Sequence, residues 1–373
     1  MKKVLILGGT GAMGVYLVDI LNSTNQWRIY VTSRSPHPKK GNVTYILGNA
    51  RDNAFLNAII GKRYDSIIDF MNYDYDEMAA RVIKLLSSTD HYIWFSSCRV
   101  YADSIEPITE SSPRLLETTT DKVFLSTNRY ALRKARQEEL IARSGYSNYT
   151  IIRPYITYSD SRLQLGIYEK EQWLYRILKG RDLVINNEIL FKKTTLTQGY
   201  DVALAISKCM CNMAALGKTI QIASNEAITW YDILKTYLAV IKDKKNLSPN
   251  IYLCKTMEAI DELYEGGYNT IYDRAYNRVF NSSLIEQVIG EAIDYKDTKI
   301  GLHQCITNFL DKDLPFQSID WKFEALQDYL LGQRTPQEEI PIPDRKIYEA
   351  YRNINVVGLG RIERNLEPVK YTL

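Results

Sequence analysis

Residues 4–7, Val-Leu-Ile-Leu, are a short apolar run that breaks at once into Gly8-Gly9-Thr10-Gly11-Ala12-Met13-Gly14. An amphipathic stretch, Val15 to Leu21, follows directly. A four-residue apolar run ended by glycine reads as a buried strand, and the following pattern reads as a helix. Strand, tight turn and helix N-terminus in this order aim backbone N–H groups and a helix dipole at an anion. The glycine spacing is that of a turn that cradles a dinucleotide pyrophosphate. Gly8 or Gly9 makes the turn, Gly11 lets backbone approach phosphate, and Gly14 lets the helix pack on the strand. The competing reading is an ordinary strand–turn–helix.

The alternation continues. Candidate strands are 3–7, 28–33, 43–47, 65–70, 91–96 and 149–153; candidate helices are 12–23, 52–60, 75–88 and 121–144. Short apolar runs alternating with helical patterns predict a doubly wound α/β domain with a parallel sheet, over residues 1–155. A ligand then sits at the strand C-terminal ends. Beyond residue 155 the rhythm loosens. Short strands (183–186, 188–191, 218–222, 250–254) mix with helices (168–179, 200–213, 229–242, 256–264, 282–289, 299–310, 321–331). This predicts a smaller mixed α/β cap over 156–333, from which later segments can return to the first domain. Pro336, Pro341 and Pro343 mark a linker, and 334–373 reads as linker and tail.

Composition narrows the class. The chain has 373 residues, 24% charged and 45% hydrophobic, with a net charge of +3. That is an ordinary globular balance, and so small a charge gives no argument for nucleic acid or a membrane surface. No run reaches the length of a membrane span. Lys2 and Lys3 precede an apolar stretch too short for a signal peptide. Five cysteines without paired metal spacing suggest a reducing compartment, and the expected location is the cytoplasm. Cys209 and Cys211 fall in an apolar helical pattern and read as core, so no metal is expected. His91 and His303 read as structural.

The chemistry is concentrated at Tyr130-Ala-Leu-Arg-Lys134. The i, i+4 spacing puts tyrosine and lysine on one helix face. A tyrosine with an ordinary pKa of about 10 is a poor base at neutral pH, and a nearby ammonium improves it. Such a tyrosine can move a proton to or from a substrate hydroxyl. Upstream, the apolar run Tyr92 to Phe95 ends in Ser96-Ser97, where a serine can hydrogen-bond the same hydroxyl. Each element alone is common; the three in this order after the glycine turn are much more specific.

With these residues in place, the chain resembles the extended short-chain dehydrogenase/reductase family, a group of NAD(P)-dependent epimerases, dehydratases and reductases. The resemblance rests on Gly8, Gly11 and Gly14, on Ser97 before Val100-Tyr101, on Tyr130 and Lys134, on Ile152-Arg153-Pro154 and on Asp201-Val202-Ala203. It covers about residues 1–330. It implies that Ser97, Tyr130 and Lys134 are catalytic, with Tyr130 as acid/base, Ser97 orienting the hydroxyl and Lys134 holding the cofactor ribose. It implies a cofactor site of Gly8, Thr10, Gly11, Ala12, Met13 and Gly14 at the pyrophosphate, then Ser33, Arg34 and Ser35. Asn49 and Ala50 follow at adenine, Phe70, Met71 and Asn72 on the fourth strand, and Ser96, Tyr130 and Lys134 with Pro154, Tyr155 and Ile156 at the nicotinamide. It also implies a homodimer formed through the helices at 75–88 and 121–144.

Departures from the pattern refine the expectation. Family 4,6-dehydratases carry an Asp-Glu pair where this chain has Cys98 and Arg99, which disfavours that reaction. NAD-preferring members place an acid at the end of the second strand; here Thr32-Ser33-Arg34-Ser35 suits a 2′-phosphate, so NADP is favoured over NAD. Arg274 and Arg278, at i, i+4 if their stretch is helical, are candidates with Arg99 for the anionic part of a substrate. Lys192-Lys193 is a second basic candidate. The expected activity is a sugar-nucleotide epimerase. The alternative is an NADP-dependent reductase or dehydrogenase, and a non-enzymatic dinucleotide sensor or RNA-binding protein comes third.

Overall fold

In the computed structural model of the chain, Val4 and Ile6 point to one face of the first strand and Leu5 and Leu7 to the other, all fully buried. A strand buried on both faces needs helices on both sides and belongs inside a parallel sheet. The structure describes residues 1–61, 63–254, 267–353 and 366–371. Strands β1 (Lys2–Leu7), β2 (Trp27–Ser33), β3 (Val43–Leu47), β4 (Ser66–Asp69), β5 (Tyr92–Phe95), β6 (Tyr149–Pro154) and β7 (Lys218–Ile222) form one sheet. Its order is β7–β6–β5–β4–β1–β2–β3, and every pairing is parallel. The order reverses between β1 and β4, which opens a crevice at their C-terminal ends. This is the Rossmann-type arrangement expected from the alternation.

Helices α1 (Gly14–Ser23), α2 (Asn53–Ile60), α3 (Tyr75–Ala79), α4 (Val82–Ser87), α5 (Leu115–Thr118), α6 (Lys122–Ser126) and α7 (Tyr130–Ala142) complete this part. Leu17, Val18 and Leu21 of α1 pack with Val202 and Ile206 on one face of the sheet. Leu56, Met78, Leu85 and Ile141 pack on the other. Two expected helices are broken. The 75–88 pattern divides at Arg81, whose buried guanidinium donates to the carbonyls of Ala50 and Arg51. The 121–144 pattern divides at 127–129, so Tyr130 begins a helix. Residues 188–191, expected as a strand, lie largely in a short helix, Asn187–Leu190, capped by the Asn186 side chain.

The chain divides into two compact units. The first comprises Met1–Ser159, Thr195–Glu226 and Val279–Thr298; the second comprises Asp160–Thr194, Ala227–Arg278 and Lys299–Leu373. Segments read as cap therefore return to the first unit: β7 extends its sheet, and helices Gly199–Cys209 and Ser283–Ile289 cover it. Within the second unit a mixed sheet joins Leu183–Asn186, Ile251–Cys254 and Leu366–Pro368. Arg176 is fully buried there, donating to Glu324 at 3.0 Å and Asp328 at 2.8 Å. The expected helix at 256–264 and most of the 354–373 tail lie outside the described residues.

Among the described residues no helix is long and apolar enough to cross a membrane. His91 is buried, its ring between Thr150 Oγ1 and the Cys211 N–H, and burial lowers its pKa to about 4.

Candidate active site

The glycine turn is shaped by sterics. Gly8 has φ +72°, the left-handed region where side chains are strained. A Cβ on Gly14 would lie 2.6 Å from the Gly9 carbonyl, so α1 packs against the turn only because Gly14 has none. A Cβ on Gly11 would meet only the Gly8 carbonyl oxygen, at 3.8 Å. Gly11 thus faces open space beside the helix N-terminus, a cradle that a side chain would fill. Thr32 on β2 anchors the turn by accepting from the Gly8 N–H at 3.1 Å.

A cavity of about 440 Å³ opens on this turn, lined by Gly8, Thr10, Thr32, Ser33, Arg34, Gly48, Asn49, Ala50, Arg51 and Met71. Residues expected at a cofactor are thereby brought together from the ends of β1, β2, β3 and β4: Gly8, Thr10, Ser33, Arg34, Asn49, Ala50 and Met71. Arg34 is exposed at its rim. Ser33 Oγ donates to the Ser35 carbonyl and accepts from the Ser35 N–H, which ties Ser35 into the loop instead of the cavity lining. Ala12 and Met13 lie at the N-terminus of α1, also outside that lining. Arg51 is absent from the sequence-based expectation. It lines the cavity while paired with Glu77 at 3.2 Å and donating to the Asn72 carbonyl. Its position directly after Asn49-Ala50 is the signal that could have found it.

The second cluster lies past the ends of β4, β5 and β6. Ser97 caps a 3-10 turn, Cys98–Val100, and its Oγ accepts from the Arg99 N–H at 3.2 Å. Helix α7 packs on that turn. Tyr130 is the first residue of α7, and Lys134 follows one turn later. Lys134 Nζ donates to the Phe95 carbonyl at 2.7 Å and lies 4.4 Å from the Trp94 ring centre and 5.9 Å from that of Tyr130. The ammonium is buried, and desolvation brings its pKa down to about 7. The Arg99 guanidinium sits over the Tyr130 ring at 4.9 Å, with Arg133 at 6.0 Å. Ser96 Oγ is buried and has no hydrogen-bond partner among the described residues. Phe70 stacks on Phe95 at 4.3 Å, and Asn72 accepts from Arg133. Pro154 ends β6, and Tyr155 and Ile156 are buried directly after it.

Two further groups escape the sequence-based expectation. Glu138, one turn beyond Lys134, is held by Arg153 through bonds of 2.8 and 2.6 Å, and Arg114 joins it. Asp69 ends β4, fully buried, and accepts from the Tyr92 hydroxyl at 2.8 Å and the Met71 N–H at 3.0 Å. An acid closing an otherwise apolar strand is its sequence signal. Burial pushes the Asp69 carboxyl up to about 6.

The two candidate arginines for a substrate anion belong to the second unit. Residues Thr270–Arg274 form one π-helical turn, so Arg274 and Arg278 do not share an α-helical face. They converge on Asp273 instead: Arg278 Nε donates to it at 2.9 Å, and Arg274 pairs with it. Both side chains are buried, and Arg274 also donates to the Gly166 carbonyl. One carboxylate is thus shared by two guanidiniums inside this unit. Lys193 sits in a two-residue strand paired with Thr229.

More than half of the chain matches a known family. The model of the NAD dependent epimerase/dehydratase family aligns with residues 4–202. The fold is similar to the Bordetella bronchiseptica enzyme WbmH, solved with NAD+, at 15% identity and a TM-score of 0.63, covering 84% of this chain and all of that one. It is also similar to dTDP-glucose 4,6-dehydratase from Bacillus anthracis, solved with NAD, at 15% identity and a TM-score of 0.62, covering 84% and 98%. Among curated proteins, a chloroplast stem-loop binding protein of 41 kDa (form b) from Arabidopsis thaliana is 24% identical over 250 residues, 63% of this chain. The match spans 62% of that protein's length.

Proposed function

This chain belongs to the NAD dependent epimerase/dehydratase family, and from that premise we propose that it is an NAD(P)-dependent epimerase acting on a sugar nucleotide. The observation that carries the reading is the clustering of Ser97, Tyr130 and Lys134 at the C-terminal ends of a parallel sheet whose glycine turn opens on a separate cavity. The residues fit a dinucleotide. Gly11 leaves the cradle open, Arg34 and Arg51 supply cations at the far end, and the Ser96 hydroxyl lacks a protein partner among the described residues. A nicotinamide dinucleotide, when bound, supplies reversible hydride transfer. Tyr130 moves the substrate hydroxyl proton, Ser97 orients that hydroxyl, and Lys134 holds positive charge beside the ring. Ser33 and Arg34 in place of a carboxylate favour NADP over NAD.

Two features support epimerisation over elimination of water. Cys98 is buried with its thiol donating to the Arg153 carbonyl, and Arg99 lies over Tyr130, so neither offers the acid–base pair of a dehydratase. We also read the chain as a homodimer. A groove of about 320 Å³ lined by Tyr75, Val82, Ile83, Arg136, Leu140 and Arg143 lies along α3, α4 and α7, the helices through which the resemblance implies dimerisation. Light scattering that gives a monomer mass removes this part.

The deciding experiment is to denature the purified protein and identify any dinucleotide released. Stoichiometric NAD or NADP supports a retained, recycled cofactor and thus the epimerase. An empty protein that consumes NADPH with a carbonyl substrate points to the reductase. A second reading is favoured by the Arabidopsis relative, which is named for binding stem-loops. RNA binding here would appear as a salt-dependent shift of a stem-loop RNA in a gel. A protein that holds no dinucleotide and shifts the RNA overturns the enzymatic reading.

A further inference from the structure

We propose that Asp69 is a positioning residue for Lys134, its carboxylate keeping the buried lysine charged and seated at the end of β5. The catalytic consequence rests on the function proposed above; the coupling itself does not.

The juxtaposition follows from strand register. In the β4–β5 pairing Asp69 lies opposite Trp94. Lys134 Nζ lies over the Trp94 ring at 4.4 Å and donates to the next residue's carbonyl at 2.7 Å. Tyr92, two residues before Trp94, projects from the same face of β5, and its hydroxyl reaches the Asp69 carboxylate. Carboxylate and ammonium thus occupy one face of two adjacent strands. Both are cut off from water, at 0% and 3% exposure. A buried charge is costly unless an opposite charge compensates it.

Of the two carboxylates that favour a charged Lys134, Asp69 acts more strongly than Glu138. Glu138, the other carboxylate near Lys134, is taken up by Arg153 and Arg114. Arg133, whose charge opposes that of Lys134, turns to Asp74 and Asn72. Around Asp69 stand Tyr92, Tyr73 and, over the Tyr73 ring at 4.4 Å, Arg81, which is engaged by backbone carbonyls. Tyr130 completes the set facing Lys134. Desolvation brings Lys134 down to about 7 and Asp69 up to about 6, and each partner's charge opposes the other's shift. A charged Asp69 therefore lets Lys134 keep its proton to higher pH than burial alone would allow. An uncharged Lys134 neither favours a phenolate beside it nor offers a full set of donors to a ribose.

The test reads Lys134 without substrate. Lysine Cε carbons are labelled with 13C, the Lys134 signal is assigned by its loss in Lys134→Met, and pH is titrated in wild type and Asp69→Asn. The amide keeps the shape and removes the charge. The Lys134 midpoint is expected to fall by about one pH unit, and the alkaline limb of kcat/KM to move the same way. Should Asp69→Asn not fold, Tyr92→Phe removes the bond that favours the charged carboxylate and gives a smaller fall in the same direction. An unmoved midpoint in the folded variant overturns the proposal. A moved midpoint in a protein that binds no dinucleotide supports the coupling and overturns the enzymatic reading instead.

Discussion

The Arg99 guanidinium lies 4.9 Å from the centre of the Tyr130 ring. Arg99 is placed there by the turn that Ser97 caps, so serine and tyrosine are linked through one residue, Ser97 by its backbone N–H and Tyr130 by its guanidinium. A cation over an aromatic face contributes about 0.5–2 kcal/mol. Arg99→Met is therefore expected to lower kcat roughly two- to thirty-fold with dinucleotide affinity unchanged. Tyr130→Phe is expected to abolish turnover, also with affinity near wild type. Wild-type turnover in Tyr130→Phe would remove the tyrosine from the chemistry.

The glycine turn separates two roles. Gly14→Ala forces a Cβ to within 2.6 Å of the Gly9 backbone. We expect it to cost about 1–3 kcal/mol in urea unfolding. Gly11→Ala meets only one backbone oxygen, at 3.8 Å. It should fold normally yet weaken dinucleotide binding at least tenfold, because its methyl occupies the cradle. Equal unfolding midpoints for the two variants would contradict this division.

Arg34→Ala is expected to weaken NADP more than NAD, measured by calorimetric titration of each. Arg34 is at the rim of the cavity and has no acid beside it on β2. Equal losses for both dinucleotides would place Arg34 outside the ribose contact.

His91 predicts a pH dependence of stability. Its folded pKa of about 4 lies below the ordinary histidine value of 6.5, so between those values the unfolded chain binds more protons. Its contribution is fully present above the upper value and is lost as pH falls toward the lower one, by on the order of 3 kcal/mol. Asp69 is shifted upward and acts with the opposite sign in part of that window. Its effect cancels when wild type is compared with His91→Gln. In urea unfolding, the wild type is expected to lose stability relative to that variant as pH drops from 6.5 to 4. Parallel pH profiles would show that His91 is not held neutral.

The sequence by itself determined the sheet and the turn. Val4 to Leu7 ending in glycine, and the strand–helix alternation to Pro154, are local patterns, and local patterns survive without tertiary information. The Tyr130–Lys134 spacing is likewise a property of any helix. The tertiary structure decided the rest, because it depends on what meets across the fold. It broke the 75–88 helix at Arg81, whose guanidinium found the carbonyls of Ala50 and Arg51, far back in the sequence. It drew β7 into the first unit's sheet. It turned Arg274 and Arg278 onto Asp273, within the second unit, through a π-helical turn that spacing alone does not disclose. It set Asp69 and Lys134, distant in the chain, on one face of two paired strands. Periodicity tells which way a side chain points; only strand register and burial decide which charge it meets there.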